Sequence, residues 1–249
     1  MAITLAAQLY TVRDLTATYE QTVNTLNAIK AIGYTAVQLF GDQEKLRLFG
    51  KACAATGMQV VGILSDPDTY RAMGEELFAF CKQTGITDLG ISAFATDEIS
   101  AKQLITDANA LAKTAAHNGL TFSYHNHAAE FVKLPCGKTI MQLYTEGFDP
   151  AINWMPDTYW LAVGGIDVRH FLDTNCGRTN ILHLKDVKYT PDGPTFAEVG
   201  QGNLWFEGIL NTAVQNGIST WVVEQDRCDG SPLDSLKISY EYVTSLLEG

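Results

Sequence analysis

The chain has 249 residues, 46% hydrophobic and 18% charged, a composition that excludes disordered and membrane-spanning classes and suits a globular fold with a sizeable core. Its 28 acidic against 17 basic residues leave a formal charge of −11, which repels phosphate backbones and argues against nucleic acid as a partner. Five cysteines (Cys53, Cys81, Cys136, Cys176, Cys228) are odd in number and form no CxxC pair, so they read as isolated thiols of a reducing compartment, not a disulfide framework or a zinc ribbon.

A strand-like run, Thr4 to Tyr10, opens the chain almost at Met1. No charged n-region and apolar h-region precede it and no apolar run exceeds strand length, so a cytoplasmic protein without a membrane partner is expected. Val23, Leu26, Ile29 and Ile32 mark one face of a first helix, which Gly33 closes before the strand-like Ala36-Val37-Gln38-Leu39. The punctuation recurs with Gly57 before Gln59 to Ile63, Gly85 before Asp88 to Ile91, and Gly119 before Thr121 to His125. It continues with Gly147 before Ile152 to Trp154, Gly177 before Ile181 to Leu184, and Gly217 before Thr220 to Val223. Glycine after a helix takes the left-handed conformation without a Cβ penalty, so each reads as a helix stop and a short loop into a strand. Leu104, Ile105, Ala108, Leu111, Ala112 and Ala115 line one face of the helix before Gly119, and Leu233, Leu236, Tyr240, Val243 and Leu247 one face of the last. Successive glycines stand 24 to 40 residues apart, about one βα unit, with no linker between them. Eight strands alternating with eight helices predict an α/β fold, a single (β/α)8 TIM-barrel domain with parallel strands over residues 1–249.

Chemistry in such a barrel collects at the carboxyl ends of the strands. In chain order those ends carry Gln8 and Tyr10; Gln38; Ser65 and Asp66; Ser92; His125, Asn126 and His127; Asp157 and Trp160; His183, Lys185 and Asp186; and Glu224, Asp226 and Arg227. His125, Asp157, His183 and Glu224, one from each of the last four strands, would converge on one point above the barrel. Two imidazoles and two carboxylates suit a divalent ion, Mn²⁺ first, with Co²⁺, Zn²⁺ or Mg²⁺ as alternatives. A lone His or Asp at a strand end is more often scaffolding; four in register favour the metal. Lys185 and Asp186 are adjacent on a strand end and face opposite ways, so at most one meets the pocket. Gly200-Gln201-Gly202-Asn203, in a long loop after the seventh strand, reads as a tight turn near the pocket mouth, a lone GxG being weak evidence for a phosphate cradle. His117 reads as a complement to a helix carboxyl end and His170 as a surface helix residue.

The runs Ala7-Gln8-Leu9-Tyr10-Thr11-Val12-Arg13, Tyr124-His125-Asn126-His127 with Glu130-Phe131, Asp157-Thr158-Tyr159-Trp160, Leu182-His183-Leu184-Lys185-Asp186 and Val223-Glu224-Gln225-Asp226 resemble the sugar phosphate isomerase/epimerase family of xylose isomerase-like TIM barrels. The likeness runs from the first strand to the eighth. It implies a metal-dependent enzyme acting on a sugar, keto-sugar or cyclitol, with the ion held at His125, Asp157, His183 and Glu224. Two departures stand out. In ketose epimerases of this superfamily the strand-five ligand is a glutamate that pairs with the strand-eight glutamate as acid and base, whereas this chain has His125. Relatives often carry a histidine on strand three, whereas this chain has Ile63-Leu64-Ser65-Asp66.

A cation bound to a carbonyl and its neighbouring hydroxyl acidifies the adjacent C–H and stabilises the enediolate left by proton removal. Glu224 is then the expected base, with His127, Glu130 and Lys185 as candidates for returning a proton or stabilising oxyanions. Gln8, Tyr10, Gln38 and Trp160 are the expected substrate contacts. The expectation is a divalent-metal-dependent isomerase or epimerase of a sugar or keto-sugar. Two alternatives stand beside it: a metal-dependent lyase or dehydratase on a keto-inositol or 3-keto-glycoside, and a non-catalytic carbohydrate-binding barrel. No basic cluster marks a phosphate site, so the sugar need not be phosphorylated. Oligomeric state has no signal in the sequence.

Overall fold

Side chains alternate along each strand-like run, so one set packs outward against a helix while the other fills the barrel axis. The computed structural model describes residues 2–248. Its strands are β1 (Thr4–Gln8), β2 (Ala36–Phe40), β3 (Gln59–Ser65), β4 (Asp88–Ile91), β5 (Thr121–His125), β6 (Ile152–Met155), β7 (Ile181–Leu184), β8 (Asp186–Thr190), β9 (Gly193–Ala197) and β10 (Thr220–Val223). Eight of them pair in parallel in the order β6-β5-β4-β3-β2-β1-β10-β7. This is the expected TIM barrel. The seam between β6 and β7 is held by single bridges, Trp154 with Thr179 and Asp157 with His183, where the His183 N–H donates to the Pro156 carbonyl at 2.9 Å. Thr158 reinforces that seam: its hydroxyl lies 2.7 Å from Lys185 O and 2.9 Å from Lys185 N.

Between the strands run α1 (Tyr19–Ile32), α2 (Gln43–Thr56), α3 (Pro67–Met73), α4 (Glu75–Thr84), α5 (Glu98–His117), α6 (Ile140–Gly147), α7 (Thr158–Val163), α8 (Val168–Thr174), α9 (Phe206–Gln215) and α10 (Pro232–Glu248). Their starts follow from local sequence: Thr18 with Gln21, Asp97 with Ser100 and Thr139 with Gln142 form reciprocal capping boxes that satisfy the first free N–H groups of α1, α5 and α6. The outer core joins outward strand residues such as Val37, Ile63, Phe122 and Trp221 to helix residues such as Leu26, Phe49, Ala108 and Val243. A smaller inner core of Ala6, Ala36, Leu64, Met155, Ile181 and Val222 fills the barrel. Burying one such Leu, Ile or Phe contributes about 1.5–3 kcal/mol, so the two cores hold the strand ends at fixed separations.

Five features depart from the sequence expectation. Strand one stops at Gln8, not Tyr10, because the Gln8 side chain accepts from the Tyr10 N–H and starts a 3-10 segment over Leu9–Leu15. Two βα units carry two helices each: α3 and α4 divide at Gly74, whose φ is +52°, and α7 is followed by α8. Gly57, Gly85, Gly119 and Gly217 do take positive φ after their helices, whereas Gly147 is the last residue of α6 and Gly177 lies in a 3-10 turn, neither left-handed. The segment after β7 contains the antiparallel hairpin of β8 and β9, which had been expected as a long loop. On α10, Leu247 is exposed while Leu236 and Val243 are buried.

Candidate metal centre

Each of the four expected ligands stands where its strand ends. His125 is the last residue of β5, His183 is in β7, Glu224 follows β10, and Asp157 is the N-cap of α7 just beyond β6. The cap splits the Asp157 carboxylate: Oδ1 accepts from the Trp160 N–H at 2.9 Å, while Oδ2 turns to the barrel axis. There Oδ2 lies 3.5 Å from His125 Nε2, Glu224 Oε2 lies 4.0 Å from the same nitrogen, and His183 Nδ1 lies 2.8 Å from Glu224 Oε2. One donor atom from each of the four residues lies within 4.8 Å of the other three. Atoms bound to one ion at about 2.1 Å stand at most about 4.2 Å apart, so small movements complete a ligand set.

Two observations test whether a cation fits. Both nitrogens of buried His125 lack a hydrogen-bond partner, a costly state for a dry imidazole unless something takes a lone pair. The charges also leave room. Lys185 Nζ touches Asp157 Oδ2 at 3.1 Å, Glu224 Oε2 at 3.2 Å and Asp226 Oδ1 at 2.8 Å, so one ammonium faces three carboxylates. When all are ionised the cluster carries two surplus negative charges, which a divalent cation neutralises. Burial pulls the His125 pKa down to about 4, so its imidazole is neutral and fit to ligate. Burial alone would raise the Glu224 and Asp157 carboxyls; the Lys185 ammonium beside both outweighs it and holds them below the usual carboxylate range. Burial likewise opposes the Lys185 charge, but the three carboxylates prevail and raise its pKa. The residues present fit a divalent ion.

Above this floor opens a cavity of about 510 Å³ lined by residues from several strand ends, among them Gln8, Tyr10, Phe40, Phe94, His125, His127, Trp160, Lys185, Glu224 and Asp226. His127 stands between Phe94 and Trp160, ring centroids 4.4 and 5.3 Å away. Tyr10 and Phe40 meet edge to face at 5.2 Å on the β1 and β2 ends, opposite β5 and β6 in the strand order. Lys185 turns to the cavity, while Asp186 turns to the loop beyond the hairpin. Its Oδ2 accepts from the Gly200 and Gly202 N–H groups and its Oδ1 from those of Leu204 and Val187. The GxG turn thus wraps the chain's own carboxylate.

Two expected site residues lie elsewhere. Gln38 is fully buried below the cavity, with His183 Nε2 and Gln8 Nε2 at 2.8 and 2.6 Å from its Oε1, so it offers no substrate contact. Glu130, expected among the proton-transfer groups, is buried behind His127, where its Oε1 accepts from the Tyr124 hydroxyl at 2.7 Å and the His127 N–H at 3.0 Å. It shapes the turn that presents His127 and stays off the cavity wall. Conversely, Asp226 and Phe94 line the cavity without having been singled out as site residues. The signal for Asp226 was its alternation with Glu224 at a strand end; nothing in the sequence marked Phe94.

The sequence profile described as xylose isomerase-like TIM barrel matches residues 26–244. The chain belongs to that family. Within the xylose isomerase-like fold, a sugar phosphate isomerase/epimerase from Parabacteroides distasonis is similar at 21% identity, covering 98% of each chain, with a TM-score of 0.77. An L-ribulose 3-epimerase is similar at 14% identity over 100% of this chain and 95% of its own, TM-score 0.71. A probable 3-DHS dehydratase from Bacillus anthracis is similar at 11% identity over 98% of this chain and 99% of its own, TM-score 0.73. At these identities the likenesses establish the fold. A search of curated proteins returned no match. Among the described residues, no helix is long and apolar enough to cross a membrane.

Proposed function

We propose that this xylose isomerase-like barrel is a divalent-metal-dependent isomerase or epimerase of an unphosphorylated sugar or keto-sugar. The observation that carries the reading is the set of four converging buried donors beneath a cavity large enough for a sugar. An ion held by His125, Asp157, His183 and Glu224, Mn²⁺ in first place, supplies Lewis-acid polarisation of a substrate carbonyl and its neighbouring hydroxyl. Glu224, kept ionised by Lys185, takes the proton from the adjacent carbon. His127, on the cavity wall, returns a proton to the substrate, and Lys185 Nζ stabilises charge on a substrate oxygen. Gln8 lines the floor with its amide held by Gln38 and the Tyr10 N–H, while Tyr10 and Trp160 offer aromatic faces to the C–H side of the ring. Lys185 is the one Lys or Arg among the lining residues and is already engaged by three carboxylates, which disfavours a phosphorylated substrate.

A second reading rests on His125. With an imidazole where the ketose epimerases carry a glutamate, Glu224 is the one carboxylate beside the ion with cavity access, which suits one-base elimination from a keto-inositol or 3-keto-glycoside. Proton NMR in D₂O, with Mn²⁺-loaded protein and a panel of free ketoses and 3-keto-glycosides, separates the readings. Deuterium entering next to the carbonyl, with epimer or isomer formed and no fragment lost, is the expected result. Release of water or aglycone establishes the lyase, and sugar binding without exchange leaves a carbohydrate-binding barrel. Turnover confined to phosphate esters contradicts the substrate assignment.

A further inference from the structure

We propose that Gln38, oriented by Gln8, is a positioning residue that keeps the His183 proton on Nε2 and turns Nδ1 to the metal, an inference that rests on the metal-centre reading above. The direction of each hydrogen bond follows from one group of fixed polarity. The Tyr10 backbone N–H can only donate, and it lies 3.2 Å from Gln8 Oε1, which identifies the carbonyl end of that amide. The other end of Gln8 is therefore its NH₂, donating to Gln38 Oε1 at 2.6 Å. Gln38 is fixed in turn, with its own NH₂ toward Met155 Sδ at 3.4 Å. Its Oε1 can only accept, so His183 Nε2, 2.8 Å away, carries hydrogen.

In the neutral imidazole Nδ1 is then the lone-pair nitrogen, and it faces Glu224 Oε2 at 2.8 Å. Two lone-pair donors turned toward each other are half of a cation site, which His125 and Asp157 complete. The opposite tautomer would set bare Nε2 against Gln38 Oε1 inside the barrel, where Gln8, Gln38 and His183 are all fully buried. The 3-10 turn after β1, which places the Tyr10 N–H, thus sets the ligating face of a histidine on β7. A hydrogen bond to the distal nitrogen orients a ligating ring and raises its basicity.

Long-range proton–nitrogen NMR on zinc-loaded wild-type protein, with ¹⁵N-labelled histidine, reads the tautomer directly. Protonated Nε2 and metal-bound Nδ1 on His183 are expected; the reverse assignment overturns the proposal. Calorimetric titration with Zn²⁺ gives an independent measure. Gln38→Leu should bind about 10–100-fold more weakly, while Gln38→Glu, which keeps an acceptor for Nε2–H, should stay within about threefold of wild type. Wild-type affinity in folded Gln38→Leu overturns the positioning role and leaves the metal centre standing. Failure of the wild type to bind Zn²⁺ removes the metal reading itself. If Gln38→Leu does not fold, the wild-type tautomer decides.

Discussion

Lys185 Nζ lies within 3.2 Å of carboxylate oxygens from Asp157, Glu224 and Asp226, in a position closed to solvent. A buried ion pair adds little net stability when whole, but removing one partner strands the other's charge. Lys185→Met should therefore cost the metal-free protein about 3–5 kcal/mol, and Mn²⁺ should raise the melting temperature of the variant more than that of wild type. Thermal unfolding with and without Mn²⁺ checks this; equal shifts in both proteins would contradict the charge balance drawn here. The same neighbourhood shows what a sequence conveys at this scale. His125, Asp157, His183 and Glu224 were visible because each is a metal-binding residue type at a strand end. Gln38 was placed on the substrate because alternation gives the face of a strand and not the depth along the barrel axis. Glu130 was a proton-transfer candidate as a carboxylate in the same run as His125 and His127, but the turn after β5 carries it back to the Tyr124 hydroxyl.

The loop after β9 shows how one side chain can hold an element. Asp186 accepts four backbone N–H bonds, and Gly202 packs so close to its carboxylate and to Val187 O that a Cβ there would collide with both. A buried donor left unpaired costs about 1–3 kcal/mol, and of the four donors Val187 is buried while Gly200, Gly202 and Leu204 are half-buried, so Asp186→Ala should lose about 1–3 kcal/mol in denaturant unfolding. Faster amide exchange should appear at Gly200, Gly202 and Leu204 first, while uniform acceleration across the barrel would deny the loop-holding role. Elements were legible in proportion to their punctuation. The run from Gly119 to His125 gave a strand with the observed bounds, because a left-handed glycine and a period-two pattern agree there. The hairpin escaped notice even though Pro191-Asp192-Gly193 between alternating residues is a turn signal, because the βα rhythm assigned that stretch to a loop.

At the scale of the whole molecule the barrel keeps its two ends apart: the four converging donors and the cavity gather at the carboxyl end, while the amino end holds a buried acid of its own. Asp88 opens β4, and its Oδ2 accepts from Thr121 and Ser123 hydroxyls at 2.6 and 2.7 Å and from Asn180 at 3.2 Å, while its Oδ1 has no hydrogen bond. Burial raises its pKa against the pull of those donors. The folded state then holds a proton that the unfolded chain has released, so this group's contribution falls as pH rises from about 4 through the raised value. Asp88→Asn removes that loss. Its melting temperature relative to wild type should improve as pH rises from about 4 and level off once pH has passed the raised value, whereas a pH-independent difference would refute the assignment. The barrel as a whole was legible because eight βα units repeat one rhythm; the weak β6–β7 seam was not, since strand pairing at closure depends on which residues end up side by side.

The most direct test of the central claim is equilibrium dialysis against Mn²⁺ followed by elemental analysis, on wild type and on His125→Ala, Asp157→Ala, His183→Ala and Glu224→Ala. The metal centre predicts one ion per wild-type chain and its loss from each variant that remains folded. A wild-type chain that retains no ion, or four folded variants that all keep it, would contradict the centre and the chemistry built on it.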